Sequence, residues 1–217
     1  YKLISDDEVA WTNMGIRMIE TGCYAKSEGL TPETHETIFN AVEIARLRDT
    51  LVEENPEAAN ARLSYPISCV ENAYHKRSNF DHAQNIFFLT MDAEGVFPAI
   101  SRISGKAVRR FFETGYTSTM PGTEAGVTEI KRTLSPCYGS PFMPRAVKEY
   151  SDLLMKNIEQ HESNVFLVNT GMNPDTRERF PLDFTRNTIK KAILTEYPLK
   201  DTSEEVLQTL EQVIEGV

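Results

Sequence analysis

Along the chain, short continuously apolar runs alternate with longer stretches in which apolar residues recur every three or four positions. "NIFFLT" at 85–90 and "NVFLV" at 164–168 have the pattern of strands buried on both faces. "GIRMIETGCYAK" at 15–26 alternates apolar and polar residues up to Cys23 and reads as strand, and residues 2–5 read as a strand leading into paired acids. Helical spacing governs "TPETHETIFNAVEIARLRDTLV": Thr31 is placed to cap, Pro32 takes the first helical position, and Ile38, Val42 and Ala45 share a face. "SGKAVRRFFETG" reads as a helix ended by Gly115. "PRAVKEYSDLLMKNIEQHES", "FTRNTIKKAILTEY" and "SEEVLQTLEQVIE" read as three further helices. Between these elements, "ENPEAANA" is a polar connection and "YTSTMPGTEAGVTEI" a long Gly/Pro/Thr-rich loop, a place where active-site residues are often carried.

Apolar strands alternating with amphipathic helices predict an α/β (mixed α+β) fold. Its mixed central sheet is expected to contain 86–90 and 165–169, with helices 145–161 and 185–195 packed on it. With 217 residues, 40% of them hydrophobic and 25% charged, the chain is long enough to bury a real core. The net charge of −9 argues against an electrostatic grip on nucleic acid or on an anionic membrane. It leaves a locally positive nucleotide pocket open. The apolar runs are far shorter than the roughly 20 residues a membrane span needs. Cys23, Cys69 and Cys137 are an odd number with no CxxC spacing, which reads as reduced thiols in a cytoplasmic protein. His35, His75, His82 and His161 show no paired metal spacing and read as surface residues.

Three places carry candidate chemistry. The adjacent carboxylates Asp6 and Asp7 follow an apolar run, an arrangement that holds Mg²⁺ in phosphoryl-transfer enzymes and is otherwise a solvated turn. The companion phosphate loop is not found: "SGKAVRR" contains Gly-Lys but lacks the upstream glycine and the following Ser or Thr. Arg62, in "NARLSYPI", offers a planar guanidinium to a carboxylate or phosphate. Arg179 and Thr185 flank a helix start in "VNTGMNPDTRERFPLDFTR", where anions and rings are commonly received.

Taken in order, these segments resemble ATP-dependent phosphoenolpyruvate carboxykinase from about Leu3 to Leu194. "LISDDE" is similar to that family's metal-binding acids, followed at its spacing by "GCYAK" and then "NARLSYPI". "IFFLTMDAEGVFPAIS", "GYTSTMPGTEAGVTE", "LSPCYGSPFM", "VFLVNTG" and "RFPLDFTRNTIKKAIL" follow in the family's order. The resemblance implies that residues 1–217 are part of the nucleotide-binding C-terminal domain, starting just after the P-loop and lacking the N-terminal domain. The implied reaction converts oxaloacetate and ATP to phosphoenolpyruvate, CO₂ and ADP, a gluconeogenic lyase step. Mg²⁺ would accompany ATP, and Mn²⁺ or a similar divalent cation would sit near the enolate. The implied partners are these small molecules and the N-terminal part, with this chain inactive alone.

By position, the resemblance makes Asp7 a metal ligand and Asp6 its neighbour in the Mg²⁺ shell. Arg62 becomes the substrate arginine, and Tyr24 and Lys26 line the cleft, with Lys26 among the catalytic groups. Arg179, Phe180 and Thr185 surround the adenine. The chain departs from the family at His35, where an acid near the ribose is usual, and at Thr119 and Ala125, where Lys and Arg are usual. It departs again at Glu94, where an aromatic is usual, and at Met172 and the residues after it. These departures motivate an alternative, a degenerate relative that binds or assembles without turnover.

Overall fold

A computed structural model describes residues 2–54, 61–74, 79–119, 128–194 and 199–215. The chain divides into two units, residues 1–82 and 83–217. Together they are a mixed α/β protein, as the periodicity predicts, but the strands fall into four small sheets among the described residues.

In residues 1–82, β1 (Val9–Thr12) and β2 (Gly15–Met18) form a hairpin. β3 (Gly22–Lys26) belongs to a different sheet. The run 15–26 is therefore two strands and not one. The break falls at Glu20, whose carboxylate accepts the amides of Asp7 and Glu8 at 3.1 Å each and draws the chain aside. Residues 2–5 are likewise no strand: Leu3 alone bridges Ala73, its amide 2.9 Å from the Asn72 carbonyl.

Helix α1 (Pro32–Leu47) starts as read, with a capping box in which Thr34 fills the place usually held by Glu. Its buried Ala41, Val42 and Ala45 pack with Cys23, Leu63 and Tyr65. Those three come from the sheet β3–β5–β4, where β4 is Val52–Glu54 and β5 is Arg62–Pro66. A two-residue strand, β6 (Asn79–Phe80), pairs with β2. Residues 55–60 of the polar connection lie outside the described residues.

In residues 83–217 the elements are β7 (Asn85–Thr90), β8 (Ile100–Ile103), α2 (Gly105–Thr114), β9 (Tyr116–Thr119) and β10 (Lys131–Leu134). They continue with α3 (Val147–His161), β11 (Asn164–Asn169), α4 (Leu182–Ile193) and α5 (Ser203–Ile214). β11 is central, parallel to β7 and antiparallel to β8. The expected neighbours 86–90 and 165–169 thus share one three-stranded mixed sheet. Phe88, Ile103, Val165 and Leu167 cluster with Val108 and Phe111 of α2 and Leu210 of α5. α3 packs against α2, and α4 meets β11.

β11 is buried from Val165 onward, as its composition demands. β7 is an edge strand, and Leu89 is 53% exposed. The first four residues of the long loop, 116–119, are strand β9, which pairs with β10 from Tyr116 opposite Leu134 to Thr119 opposite Lys131. Residues 120–127, Ala125 included, lie outside the described residues. No helix among the described residues is long and apolar enough to cross a membrane.

Two buried polar groups organise the carboxyl ends of this sheet. The Asp92 carboxylate, fully buried, accepts the amides of Glu94, Gly95, Val96 and Phe97 at 2.6–3.1 Å. The Asn169 amide donates to the Phe97 and Met172 carbonyls and accepts from the Gly171 amide at 2.8 Å. Gly115 turns the chain from α2 into β9 at φ 56°, and a Cβ there would lie 1.7 Å from the Ser135 carbonyl oxygen. Gly115→Ala should therefore cost at least about 2 kcal/mol, the left-handed backbone and the backbone clash acting together. Gly22→Ala, which meets nothing within 4 Å, should cost much less. Urea unfolding of both variants checks this.

Candidate functional site

β3 carries two of the predicted residues on one side. Cys23 is buried toward α1, while Tyr24 and Lys26 face outward, as strand alternation requires. Pairing with β5 sets Tyr24 opposite Ser64 and Lys26 opposite Arg62. Arg62 in turn stands opposite Glu54 of β4. A row Lys26–Arg62–Glu54 thus crosses the sheet. Arg62 is half-buried, and among the described residues nothing accepts a hydrogen bond from its guanidinium. It lines a pocket of about 220 Å³ with Ser27, Leu30, Phe39 and Arg46. Tyr24 and Lys26 line another, of about 360 Å³, with His35.

The paired acids meet the same strand. β3 is an edge, and Asp6 Oδ2 accepts the Tyr24 amide at 2.9 Å, satisfying a donor the sheet leaves open. Burial holds the Asp6 carboxyl above its ordinary value, and the charges of Asp7 and Glu20 push the same way, against the Tyr24 hydrogen bond. Asp7 is exposed, and its carboxylate has no partner among the described residues. Below them the Cys23 thiol is pushed up to about 12, chiefly by burial and then by Asp6, Glu20 and Asp7. That thiol stays protonated and inert. The three cysteines are free and buried.

Among the described residues, no group of three or more His, Cys, Asp or Glu side chains is arranged to hold a metal ion. Two carboxylates suit a hard cation that brings further oxygen ligands of its own, such as phosphates and water. The histidines are less exposed than their polar contexts predict: His35, His82 and His161 are half-buried. His35 Nδ1 lies 2.9 Å from Thr34 Oγ1, and His82 Nδ1 accepts the Trp11 indole N–H at 3.0 Å. His75 is outside the described residues.

In residues 83–217, the predicted trio brackets the start of α4. Met172 and Arg179 form an antiparallel bridge, and the Phe180 amide donates to the Gly171 carbonyl at 2.9 Å. Phe180 is 8% exposed and Thr185 9% exposed, and the Thr185 hydroxyl is turned to the Pro181 carbonyl at 3.4 Å. Arg179 is exposed, with no partner among the described residues. Its neighbour Arg177 is bound to the Glu94 and Gly95 carbonyls.

Sequence reasoning missed Glu20, which shapes the acid turn, because an acid between alternating residues carries no signal of its own. It also missed that Glu94 forms a two-pronged ion pair with Arg132, one prong at 2.9 Å, while Arg132 also donates to the Val213 carbonyl at 3.0 Å. The signal there was the unusual acid itself.

Carboxylates at one strand edge, with a lysine and a half-buried arginine side by side on the same sheet, are the donor set of proteins that bind polyanions together with hard cations. The family is then given by comparison: the sequence model of phosphoenolpyruvate carboxykinase matches residues 1–212, and the chain belongs to that family. It is 41% identical over 205 residues to "Phosphoenolpyruvate carboxykinase (ATP)" of Bacillus subtilis, covering 88% of this chain and 39% of that protein. The protein of the same name from Bacillus cereus strain G9842 is 36% identical over 223 aligned positions, covering 97% of this chain and 42% of the relative. That of Eremothecium gossypii is 38% identical over 199, covering 85% and 37%. The chain spans about two fifths of the length of these curated relatives.

The raised Asp6 carboxyl has a consequence for stability. The folded chain keeps that proton to higher pH than the unfolded chain. Asp6 therefore favours folding below the ordinary carboxylate pKa and loses that contribution as pH rises through its raised value. Asp6→Asn keeps an oxygen for the Tyr24 amide and removes the charge. It should be more stable than the parent near about pH 7, the difference fading toward about pH 3. Urea midpoints at the two pH values check the sign.

Proposed function

We propose that this chain is the nucleotide-binding portion of an ATP-dependent phosphoenolpyruvate carboxykinase. The reaction is the conversion of oxaloacetate and ATP to phosphoenolpyruvate, CO₂ and ADP. The C–C bond to the departing carboxylate breaks and its electron pair remains as an enolate. The enolate oxygen then takes the γ-phosphoryl group as the bond to ADP breaks. Charge gathers at both centres, so catalysis rests on positioning and neutralisation.

The observation that carries this reading is the unpaired, half-buried Arg62 held beside Lys26 by the β3–β5 register. In this role Arg62 receives the substrate carboxylate and the transferring phosphoryl group with a fork of donors. Lys26 adds a second cation that remains close without pairing with it, and Tyr24 lines the same outward side. Asp7, without a partner of its own, and Asp6, already fixed by the Tyr24 amide, supply hard oxygen donors for Mg²⁺ carried with ATP and for a second divalent cation such as Mn²⁺. Such cations neutralise phosphate and enolate charge when bound. Arg179, Phe180 and Thr185 serve the adenine.

A second reading is a relative that binds without turnover. His35 favours it, since it lines the pocket with Tyr24 and Lys26 where the resemblance expects an acid. Calorimetric titration of Mn²⁺ and ATP into the chain tests both. Binding that Asp7→Ala abolishes, with an unchanged melting temperature, is the expected result; absence of binding by the parent overturns the reading. In a protein spanning the relatives' length, Arg62→Ala should lower kcat/KM by about 10²–10³ with little loss of stability. ATP binding without decarboxylation by that intact protein would establish the second reading instead.

A further inference from the structure

The backbone ladder of the β1–β2 hairpin ends just where the paired acids begin. Val9 pairs with Met18, and one step further the Ile19 amide reaches the Glu8 carbonyl at 3.4 Å. There the two segments part, since β3 joins a different sheet. The amides of Asp7 and Glu8 take a side chain in place of a strand: Oε1 of half-buried Glu20 accepts both at 3.1 Å. The rest of the turn is also tied. Leu3 is held between the Asn72 carbonyl and the Tyr74 amide, Ser5 Oγ donates to the Glu8 carbonyl at 3.2 Å, and Asp6 Oδ2 accepts the Tyr24 amide. What stays untied is the Asp7 carboxylate, exposed and without a partner among the described residues.

A neutral oxygen could accept these two amides. Glu20 instead adds a third negative charge beside Asp6 and Asp7. The turn is therefore fixed at an electrostatic cost that a bound cation would offset. We propose that Glu20 is a positioning residue for a divalent-cation site at Asp6 and Asp7: it fixes the backbone from which the Asp7 carboxylate projects and does not itself ligate the cation. This rests on the cation reading above and extends it to a residue that reading does not use. Oε1 of Glu20 is committed to two charge-assisted hydrogen bonds. Among the described residues, no third acid completes a group able to hold a metal ion. Without those bonds Asp7 would sample many orientations, and binding would carry the entropy of ordering it. Groups that orient a metal ligand in this way are commonly worth about 10–100-fold in affinity.

The test is titration of Mn²⁺ into the full chain, free Mn²⁺ being read from its paramagnetic resonance, with melting temperatures recorded for every variant. Glu20→Ala should weaken Mn²⁺ binding about 10–100-fold. Glu20→Gln keeps an oxygen for both amides and removes the charge, so it should bind within about threefold of the parent. In an Asp7→Asn background, titrated at higher Mn²⁺, adding Glu20→Ala should change little, because both act through one carboxylate. Equal losses in the two backgrounds would mark a general loosening of residues 1–82 and overturn the proposal. So would Glu20→Ala binding as tightly as the parent. Glu20→Gln binding as weakly as Glu20→Ala would make the charge decisive and Glu20 a third ligand, which overturns the positioning role. If Asp7→Ala abolishes binding while Glu20→Ala leaves it intact, the proposal falls and the cation reading stands. If the parent binds no Mn²⁺, both fall.

Discussion

The buried carboxylate of Asp92 is the constraint on which residues 83–217 turn. A carboxylate with no exposure is tolerated only when its oxygens are fully hydrogen-bonded, and here four consecutive amides converge on it. The turn after β7 is thereby wound tightly around one side chain. The Asn169 amide ties that turn to the end of β11 through the Phe97 carbonyl, and to the following chain through Met172. Gly171 passes so close that a Cβ would lie 2.2 Å from the Asp92 carbonyl oxygen. The segment leading to Arg179, Phe180 and α4 is therefore aimed by backbone geometry fixed at the sheet's carboxyl end. Arg177, bound to the Glu94 and Gly95 carbonyls, adds a second tie between the same two loops. Crevices at the carboxyl ends of strands are where α/β folds generally receive ligands.

Residues 1–82 solve a different problem, with like charges. Asp6, Asp7 and Glu20 crowd the edge of β3, and burial first, then the charges of Asp7 and Glu20, raise the Asp6 carboxyl. On the outward side of the sheet, Lys26 and Arg62 are direct cross-strand neighbours, a pairing that sheets disfavour. Glu54 stands on the other side of Arg62 in the register. A charge such as that of Arg62, which has no internal partner among the described residues, is a common mark of a binding site, since stability alone would select against it. The inner face of the same sheet is conventional, with Leu63 and Tyr65 against α1. One strand thus separates packing from chemistry by alternation.

Elements with a strong period and their own caps were legible in the sequence. Thr31, Pro32 and Gly115 mark helix ends because the capping and left-handed requirements are local. β11 was legible because a central strand must be apolar throughout. The errors came where a non-local contact decides. The split of 15–26 depends on Glu20 reaching back to Asp7 and Glu8. The exposure of Leu89 depends on β7 having one neighbour, which no residue of "NIFFLT" encodes. The candidate residues of the site were named through the family pattern. That Arg62 lies opposite Lys26, and that Asp6 seals the edge of their sheet, required the register.

Glu94 shows how an acid is accommodated beside a buried turn. Its carboxylate would leave a charge against the core, were it alone. Arg132, 38 residues on, takes both of its oxygens and fixes itself further on the Val213 carbonyl, tying β10 to the end of α5. An ion pair about one third exposed on each side adds little stability by itself. Removing either partner, however, leaves the other charge half-desolvated. Both functional readings share this fold. What separates them is the chemistry around Arg62 and His35, because a protein can hold its structure through internal ion pairs of this kind while a change at a site residue removes turnover.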